Sequence, residues 1–277
     1  MKKIKLLVVL YKQDLNSSET ILSIKNIFKR HCYGASFELC IWDNSPFPQL
    51  NDEVQALKVM CQGLNSINYY HDASNKPLSY VYNTALDACN DEDFIIILDQ
   101  DSFFNESFIE EFLFVISNET PDLMLPVIHY KNTIISPSKI RYIKGEYFSV
   151  APNGNFPAKK LSAINSGMII SLEYIRRTGF RYHQALKNYC TDDYFMREFR
   201  KNSSMAYILK YNFEHDLSLS TLNENSLSLK TRYKLMKEGR FIVYSGNIWD
   251  KCSIRAYFLL HKIYMAIRYK DFDYLKV

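Results

Sequence analysis

Short apolar runs alternate with helix-like patterns along the first half of the chain. Four runs have the length of buried strands: residues 4–11, 37–42, 65–70 and 94–98. The first run, IKLLVVLY, is apolar on both faces, as parallel strands are. Between the first two runs, apolar residues recur with helical spacing at Ile21, Ile24, Ile27 and Phe28. The order β-α-β-α-β-α-β predicts an α/β fold with a mostly parallel, mixed central sheet and helices on both faces.

Local signals predict where the individual elements begin and end. Asn16 is the expected N-cap of the first helix, because Glu19 stands three residues later and completes a capping box. Thr191 is the expected cap of a later helix that runs to about Lys201. Residues 144–160 contain two Gly and two Pro and predict a loop. The other expected elements are helices over 78–90, 106–116 and 172–178, strands over 164–171 and 206–209, and a helical region from about 225 onward.

Composition and charge exclude some partners and locations. The net charge of +4 gives no reason to expect nucleic acid as a partner. Six cysteines without CxxC spacing are interpreted as reduced thiols of a cytoplasmic protein. The apolar run Leu6–Leu10 is too short for a signal peptide, and no run approaches the roughly 18 apolar residues of a membrane span. The 21 Tyr and 18 Phe suit a polyhydroxylated ligand, although an AT-rich genome gives the same bias.

Several widespread catalytic and nucleotide-binding motifs are missing from the sequence. No two glycines are spaced as GxG, so the dinucleotide fingerprint is absent, and there is no P-loop. The motifs HExxH and GxSxG are absent as well. These absences exclude the common zinc peptidases, the α/β-hydrolases and the Gly-rich routes to nucleotide binding.

Polar residues stand at the carboxyl ends of three predicted strands, namely Tyr11, Asp43 and Asp99. Ligands of open α/β sheets bind beyond this edge. The last of these strands ends in Asp99-Gln100-Asp101, in which an extended chain points both carboxylates to one side. Such a pair favours a hard cation that also binds a diphosphate. The alternative is a solvated turn in which Asp99 caps the next helix.

The order of these and later motifs resembles family 2 glycosyltransferases of the GT-A fold. The motifs are IWDNS around Asp43, NKPLSYVYN at 75–83, LDQDS at 98–102, Asn165-Ser166-Gly167, CTDDYF around 192–193 and FEHDLS around His215. LDQDS is most similar to bacterial rhamnosyltransferases and related O-antigen or capsule enzymes. The resemblance implies a catalytic domain over 1–220, with a nucleotide-binding half over about 1–104 and an acceptor half over about 105–220. A helical extension follows over 221–277.

The resemblance also implies roles for residues of the donor site. Tyr11 ends the first strand beneath the nucleotide, and Asp43 hydrogen-bonds the base. Asn75 and Asn83 match the family segment N-x-G-x-x-x-A-x-N, which lines the donor. Pro77 replaces the Gly of that segment, which changes how closely the loop can approach the diphosphate.

The metal site implied by the resemblance centres on the DQD sequence. Asp99 contacts the ribose or a water on the metal, Gln100 lies with the donor, and Asp101 binds Mn²⁺ or Mg²⁺. His215 matches a His that completes the metal shell, and an imidazole ligand suits Mn²⁺ better than Mg²⁺. The alternative for His215 is a structural role.

The acceptor side follows from the later motifs. Asp192 and Asp193 match the acidic pair that holds the catalytic base, with Asp192 in the base position. Ser166 and Gly167 match the strand that borders the acceptor. The alternatives are an acidic first helical turn that stabilises the helix, and an ordinary sheet strand.

Together these motifs imply a metal-dependent, inverting glycosyltransferase. It would move a sugar from a dTDP- or UDP-linked donor, with dTDP-rhamnose first among the donors, to a hydroxyl of a lipid-linked glycan. UDP-glucose, UDP-galactose and N-acetylhexosamine donors stay open. Two other classes remain: a metal phosphohydrolase that uses Asp99 and Asp101, and a non-catalytic carbohydrate-binding protein with a Tyr-rich surface.

The C-terminal segment 251–270 combines basic and apolar residues at helical spacing. Its basic residues are Lys251, Arg255, Lys262, Arg268 and Lys270. Its apolar residues include Ile254, Tyr257, Phe258, Ile263, Tyr264 and Ile267. Such a helix can lie in a membrane interface, which would make the protein peripheral at the inner face of the cell membrane. The alternative is a helix that packs back on the catalytic domain.

Overall fold

The structure is a computed structural model that describes residues 1–29, 33–214 and 226–276. Within these ranges the strands are β1 Lys3–Leu10, β2 Ser36–Asp43, β3 Ser66–His71, β4 Phe94–Asp99, β5 Leu123–Tyr130, β6 Thr133–Ser136, β7 Ser138–Arg141, β8 Lys144–Tyr147, β9 Gly154–Pro157, β10 Leu161–Ser162, β11 Met168–Ser171 and β12 Met205–Glu214. The helices are α1 Glu19–Ile27, α2 Asn51–Met60, α3 Leu78–Asp87, α4 Glu106–Asn118, α5 Leu172–Thr178, α6 Thr191–Asn202, α7 Ser226–Val243 and α8 Ile248–Tyr269.

Nine strands form one central sheet in the order β3-β2-β1-β4-β11-β5-β12-β9, with β6 paired to β5. Strands β1 to β4 run parallel to one another, and β5 runs parallel to β12. Strand β11 is antiparallel to β4 and β5. A smaller antiparallel sheet contains β10, β7 and β8. The predicted mixed, mostly parallel sheet is therefore confirmed.

Helices cover both faces of the sheet, and the strands contribute side chains to each. In β1, Leu6 and Val8 enter the core beneath α1 and α4, whereas Leu7 enters the core beneath α3 and α6. Successive side chains of a strand point to opposite faces, so a strand covered on both sides is apolar at most positions. The buried Lys5 of β1 is the exception, and it pairs with Glu38 and Glu92. Burial on both faces explains why the runs predicted as strands show no polar alternation.

The C-terminal helices α7 and α8 form a third apolar cluster that also reaches the start of α6. Tyr233 and Phe258 are buried in this cluster together with Cys190, the residue before α6. A Cβ at Gly239 of α7 would lie 3.0 Å from Cys190 Sγ and 3.0 Å from the Tyr189 carbonyl oxygen. Because glycine lacks that atom, α7 approaches the first turn of α6 closely.

Two predicted helix starts are wrong by one or two residues. The N-cap of α1 is Ser18 rather than Asn16, and Ser18 Oγ accepts a hydrogen bond from the Ile21 N–H at 3.3 Å. The Asn16 side chain instead bonds Glu53 of α2 at 2.8 Å. Thr191 is the first residue of α6, and its N-cap is Cys190 with a φ of 66°. In both cases contacts with distant residues overrode the local signal. The Ser18 hydroxyl also donates to the Gln100 carbonyl at 2.7 Å, and the Thr191 hydroxyl accepts from Asn165 at 3.0 Å.

Several further elements differ from the prediction. The strand expected over 164–171 begins only at Met168, because Gly167 has a φ of 72° and ends a turn. The loop expected over 144–160 contains β8 and β9. Helix α2 was not predicted, since only Val54 and Leu57 of it are buried. Strand β5 was not predicted either, because Pro126 argues against a central strand. Its pairing with β12 is irregular at that point.

Candidate active site

The carboxyl edge of the sheet brings together residues that are far apart in the sequence. Val9 pairs with Asp99, and Leu10 pairs with Asp43, so the ends of β1, β2 and β4 lie side by side. Strand β11 runs in the opposite direction and therefore begins at the same edge, immediately after Gly167. The edge is the place where ligands of such sheets bind.

The turn formed by Asp99, Gln100 and Asp101 is held from beneath by the start of α1. The Thr20 hydroxyl donates to the carbonyl of Asp99, and the Ser18 hydroxyl donates to that of Gln100. The Gln100 side chain is engaged as well, since its Oε1 accepts from the Tyr11 N–H at 2.7 Å. These bonds fix the backbone of the turn, so the direction of its carboxylates is set by the fold.

Ser166 contacts this turn directly. Its hydroxyl donates a hydrogen bond to Asp99 Oδ2. The adjacent Gly167 donates its N–H to the Ile97 carbonyl at 2.9 Å, and a Cβ there would lie 2.8 Å from Pro126 Cγ. The glycine thus permits a close approach of β11 to β5, which carries Ser166 to the carboxylate. Both residues predicted for the acceptor side therefore lie beside Asp99.

The described residues fit a divalent cation that takes few protein ligands. Asp99 and Asp101 supply carboxylate oxygens, which Mg²⁺ and Mn²⁺ prefer, and such ions commonly complete their shell with phosphate oxygens and water. Within residues 1–29, 33–214 and 226–276, no three His, Cys, Asp or Glu side chains gather into an all-protein metal centre. His215, predicted as a further ligand, lies outside the described residues.

Asp43 is fully buried at the end of β2, and its described contacts are internal. Its Oδ1 accepts from the Ser45 N–H at 2.9 Å. Its Oδ2 accepts from the Tyr69 hydroxyl at 2.7 Å and from Gln49 Nε2 at 3.1 Å. The carboxylate therefore organises the loop that follows β2, whereas the resemblance assigned it a contact with the base.

The two asparagines predicted to line the donor lie in different environments. Asn75 is exposed, with a φ of 51°, just before α3. The Asn83 side chain uses both ends on the backbone of Tyr182, donating to its carbonyl at 2.9 Å and accepting from its N–H at 2.8 Å. In the structure, Asn83 fastens α3 to the segment before α6. Pro77 is the N-cap of α3.

Asp192 and Asp193 are successive residues in the first turn of α6, so their side chains diverge by about 100°. Asp193 forms an ion pair with Arg240 of α7, with 2.9 Å between its Oδ2 and Nε of the arginine. The Asp193 N–H donates to Asp192 Oδ1 at 2.8 Å. Asp193 thus links α6 to α7, whereas Asp192 is near enough to Asp99 for the two charges to interact.

Burial, together with the charges of Asp193 and Asp99, raises the pKa of Asp192 from its ordinary value to about 7. Arg240 and the Asp193 N–H act in the opposite direction and lower it. A carboxylate with a pKa near neutral pH is a stronger base than an ordinary one and is still ionised in much of the population. The contacts of Asp192 and its raised pKa point to it as the candidate base.

Buried polar side chains surround Asp192. Asn165 Nδ2 donates to the Thr191 hydroxyl at 3.0 Å, which joins the turn before β11 to the start of α6. Among the described residues, Asn165 Oδ1 and the Tyr182 hydroxyl are buried without a hydrogen-bond partner. Burial and the charge of Asp192 raise the pKa of Tyr182. Unpaired buried polar groups beside a carboxylate are suited to binding a polar ligand.

Arg240 and Tyr182 are the site residues that sequence reasoning missed. Arg240 belongs to the C-terminal helices, and neither its spacing nor a motif relates it to Asp193. Tyr182 is one of 21 tyrosines and has no local signature. Only Gly239, next to Arg240, is a sequence signal, since a glycine inside a helical pattern indicates close packing.

The sequence profile of glycosyl transferase family 2 matches residues 7–179. The chain belongs to glycosyltransferase family 2. The matched region of this glycosyltransferase runs from β1 to the end of α5 and contains Asp43, Asp99 and Asp101, whereas Asp192 and Asp193 follow it. No curated protein sequence matches the chain.

Solved structures with the same fold include bacterial and other glycosyltransferases. S. aureus TarS 1-349 has a TM-score of 0.53 at 13% identity, covering 99% of this chain and 89% of that one. The same TarS fragment in complex with UDP-GlcNAc has a TM-score of 0.53 at 12% identity, covering 92% and 69%. GalNAc-T7 with UDP, GalNAc and Mn²⁺ has a TM-score of 0.62 at 11% identity, covering 98% and 58%. At such identities the likeness concerns the fold alone.

In the part of the glycosyltransferase that the structure describes, none of the helices combines the length and the apolar character needed to cross a membrane.

Proposed function

We propose that this glycosyltransferase is metal-dependent and inverting and uses a nucleoside-diphosphate sugar. The observation that carries the proposal is the convergence of Asp99 and Asp192 at one sheet edge, with the pKa of Asp192 raised to about 7. One carboxylate lies in a turn suited to a cation and a diphosphate, and the other is suited to act as a base. The two roles need different environments, and these residues have them.

On the donor side, Asp99 and Asp101 would hold Mn²⁺ or Mg²⁺. Such an ion, when bound, offsets negative charge on the diphosphate. Gln100 belongs to this turn and bonds the Tyr11 N–H, and both residues would contact the donor together with Asn75. TarS structures with UDP and with UDP-GlcNAc, and GalNAc-T7 with UDP and Mn²⁺, support a UDP- or dTDP-linked donor. dTDP-rhamnose remains the first donor to test.

On the acceptor side, Asp192 would accept the proton of a glycan hydroxyl as its oxygen attacks the anomeric carbon. The new carbon–oxygen bond forms on the face opposite the bond to the diphosphate, which breaks, so the configuration inverts. Ser166 would orient Asp99, and the backbone at Gly167 would border the acceptor, a lipid-linked O-antigen or capsule oligosaccharide. We place these functions in residues 1–220, with 221–277 as a helical extension.

A panel of nucleotide sugars tests this function. With Mn²⁺ present, we expect release of the nucleoside diphosphate from one donor of the panel, which contains dTDP-rhamnose, UDP-glucose, UDP-galactose and UDP-N-acetylhexosamines. The product should carry the anomeric configuration opposite to that of the donor, as NMR of the glycan would show. Release of inorganic phosphate alone would instead indicate a phosphohydrolase. Glycan binding without any nucleotide binding would indicate a carbohydrate-binding protein.

The pKa of Asp192 predicts the pH dependence of the reaction. Because a base must be ionised to act, kcat/KM should fall as the pH drops through about 7, the raised pKa of this carboxyl. The decline should approach about tenfold per pH unit well below that value. Measuring kcat/KM from pH 5 to pH 9 with a saturating metal concentration checks it. A profile that stays flat down to pH 5 would contradict the role of Asp192.

A further inference from the structure

Helix α8 carries two apolar faces, and only one of them is covered by the protein. Ile254, Phe258 and Ala266 face inward and are buried with residues of α7. A second set is exposed: Trp249 at 79%, Leu259 at 56%, Leu260 at 69%, Ile263 at 44%, Tyr264 at 51% and Ile267 at 71%. Leu260, Tyr264 and Ile267 are three to four residues apart, and Trp249 lies about three turns before Leu260 on the same side. The set therefore forms one stripe along the outside of the helix, termed here the outer face.

Part of the sequence-based expectation for this segment therefore needs correction. Ile254 and Phe258, expected on a face available for a membrane, are buried against the protein. Ile263, Tyr264 and Ile267 are exposed, and Trp249, Leu259 and Leu260 extend their surface. The segment packs back on the protein and also presents apolar residues outward. These two alternatives are not exclusive.

The charges that flank the outer face are positive. Lys251 and Arg255 are exposed along one side of the stripe, and Arg268 and Lys270 are exposed near its far end. The acidic residue of α8, Asp250, points inward and pairs with Arg197 of α6. An apolar stripe flanked by these four cationic residues is complementary to a surface that is apolar inside and anionic outside.

We propose that the outer face of α8 binds the surface of an anionic lipid bilayer, with the helix lying parallel to the membrane plane. Helices of this kind bury the apolar side at the level of the headgroups and acyl chains, while Lys and Arg attract anionic lipids. Trp249 and Tyr264 lie at the two ends of the stripe, and both residue types favour the membrane interface.

A second copy of the chain fits this face less well. In a two-fold symmetric contact the same patch meets itself, so the basic residues that border one copy would face those of the other. Like charges in such an interface oppose association. An anionic bilayer instead neutralises all of them at once.

The proposed surface is connected to the active site through Asp250. Arg197 of α6 pairs with Asp250 and stacks over Tyr244, with its guanidinium 4.5 Å from the ring centroid. The Tyr142 hydroxyl donates to the other carboxylate oxygen at 2.6 Å. Because the first turn of α6 carries Asp192, a membrane-bound α8 would hold this edge of the sheet at a set position relative to the bilayer.

Vesicle sedimentation of the full chain tests the proposal. We expect binding to vesicles of phosphatidylcholine with about 30% phosphatidylglycerol, weak binding to phosphatidylcholine alone, and loss of most binding in about 0.5 M salt. The double variant Leu260→Asp with Ile267→Asp should bind at least about tenfold more weakly. A matched double variant, Val59→Asp with Phe114→Asp, replaces side chains that are 70% and 68% exposed on α2 and α4, and it should bind like wild type.

Tryptophan fluorescence gives an independent measurement. The chain has two tryptophans, Trp42 and Trp249. In a Trp42→Phe background, the emission of Trp249 should shift to shorter wavelength when anionic vesicles are added, because the ring leaves water. The variant Lys251→Glu with Arg255→Glu should reduce this shift at low salt.

Three results would overturn the proposal. The first is no binding to anionic vesicles at low salt. The second is equal binding by the outer-face variant and its matched control. The third is a concentration-dependent dimer, seen by sedimentation equilibrium and abolished by Leu260→Asp with Ile267→Asp, which would identify a second copy as the occupant. Melting temperatures of the variants serve as the folding control, and donor turnover in detergent-free buffer tests the proposed function separately.

Discussion

Replacing Asp192 with Asn should lower kcat by a factor on the order of 10²–10⁴, the usual loss for a general base. Donor affinity should stay near that of wild type, because a base that acts as the acceptor attacks contributes to the transition state and not to donor binding. The side chain keeps its size and loses its ability to accept a proton. Single-turnover rates and calorimetric donor binding of the same preparation measure both quantities.

The stability of the variant adds a second expectation. Burial raises the pKa of Asp192. Above a pH of about 7 the folded protein therefore holds a buried carboxylate that would be better solvated in water. This acid therefore lowers stability as the pH rises through its folded pKa. At pH 8 a neutral Asn should melt at the same temperature as wild type or higher. An inactive enzyme with undiminished stability is the pattern of a catalytic residue.

Asp193→Asn is the matched control, one position along the same helix. It removes half of the ion pair with Arg240, so we expect a lower melting temperature and a smaller loss of kcat. If Asp193→Asn were inactive and Asp192→Asn active, the base would be Asp193. If both variants kept their activity, the reaction would not use a base from this helix.

The second large effect is expected at the DQD turn. Asp101→Asn should abolish the increase in nucleoside-diphosphate affinity that Mn²⁺ causes, because a carboxamide is a much weaker ligand for a hard cation than a carboxylate. Titration calorimetry with UDP and with dTDP, each with and without Mn²⁺, measures it. His215→Ala should weaken the same effect without abolishing it.

Asp91→Asn is a suitable control for this experiment. Asp91 lies just before β4, at the opposite end of that strand from the DQD turn, and pairs with Lys3 on the surface. Its replacement removes one acidic charge and leaves the turn intact, so the metal effect should be unchanged. If Asp101→Asn bound Mn²⁺ and nucleotide as wild type does, the cation site would have to be assigned to other residues.

Some features of the protein are determined by local sequence. The apolar runs of β1, β2 and β4 predicted the parallel core, because a strand buried on both faces is apolar at most of its positions. The ends of these runs mark the carboxyl ends of the strands, which meet at one edge of a parallel sheet. The sequence alone therefore places Asp43 and Asp99 at that edge. The strand β5 could not be found in this way, because Pro126 is unusual inside a sheet and is accommodated by an irregular register with β12.

Other features depend on contacts between distant parts of the chain. Because Asp192 and Asp193 are adjacent in a helix, the sequence predicts that their side chains point in different directions. Only the packing of α6 determines which of the two side chains is nearer to Asp99. That packing rests on Gly239, which lets α7 approach Cys190, and on Arg240, which pairs with Asp193.

The C-terminal helix shows the same division. The sequence determined that α8 is amphipathic and basic, because these properties belong to its own residues. The tertiary structure decided which apolar residues it buries and which remain on the outer face. A helix that is apolar on two sides can bury either side, and the shape of the neighbouring elements determines which side packs inward. Here Ile254 and Phe258 are buried in the same apolar cluster as Tyr233 and Tyr274, so Leu260 and Ile267 face outward.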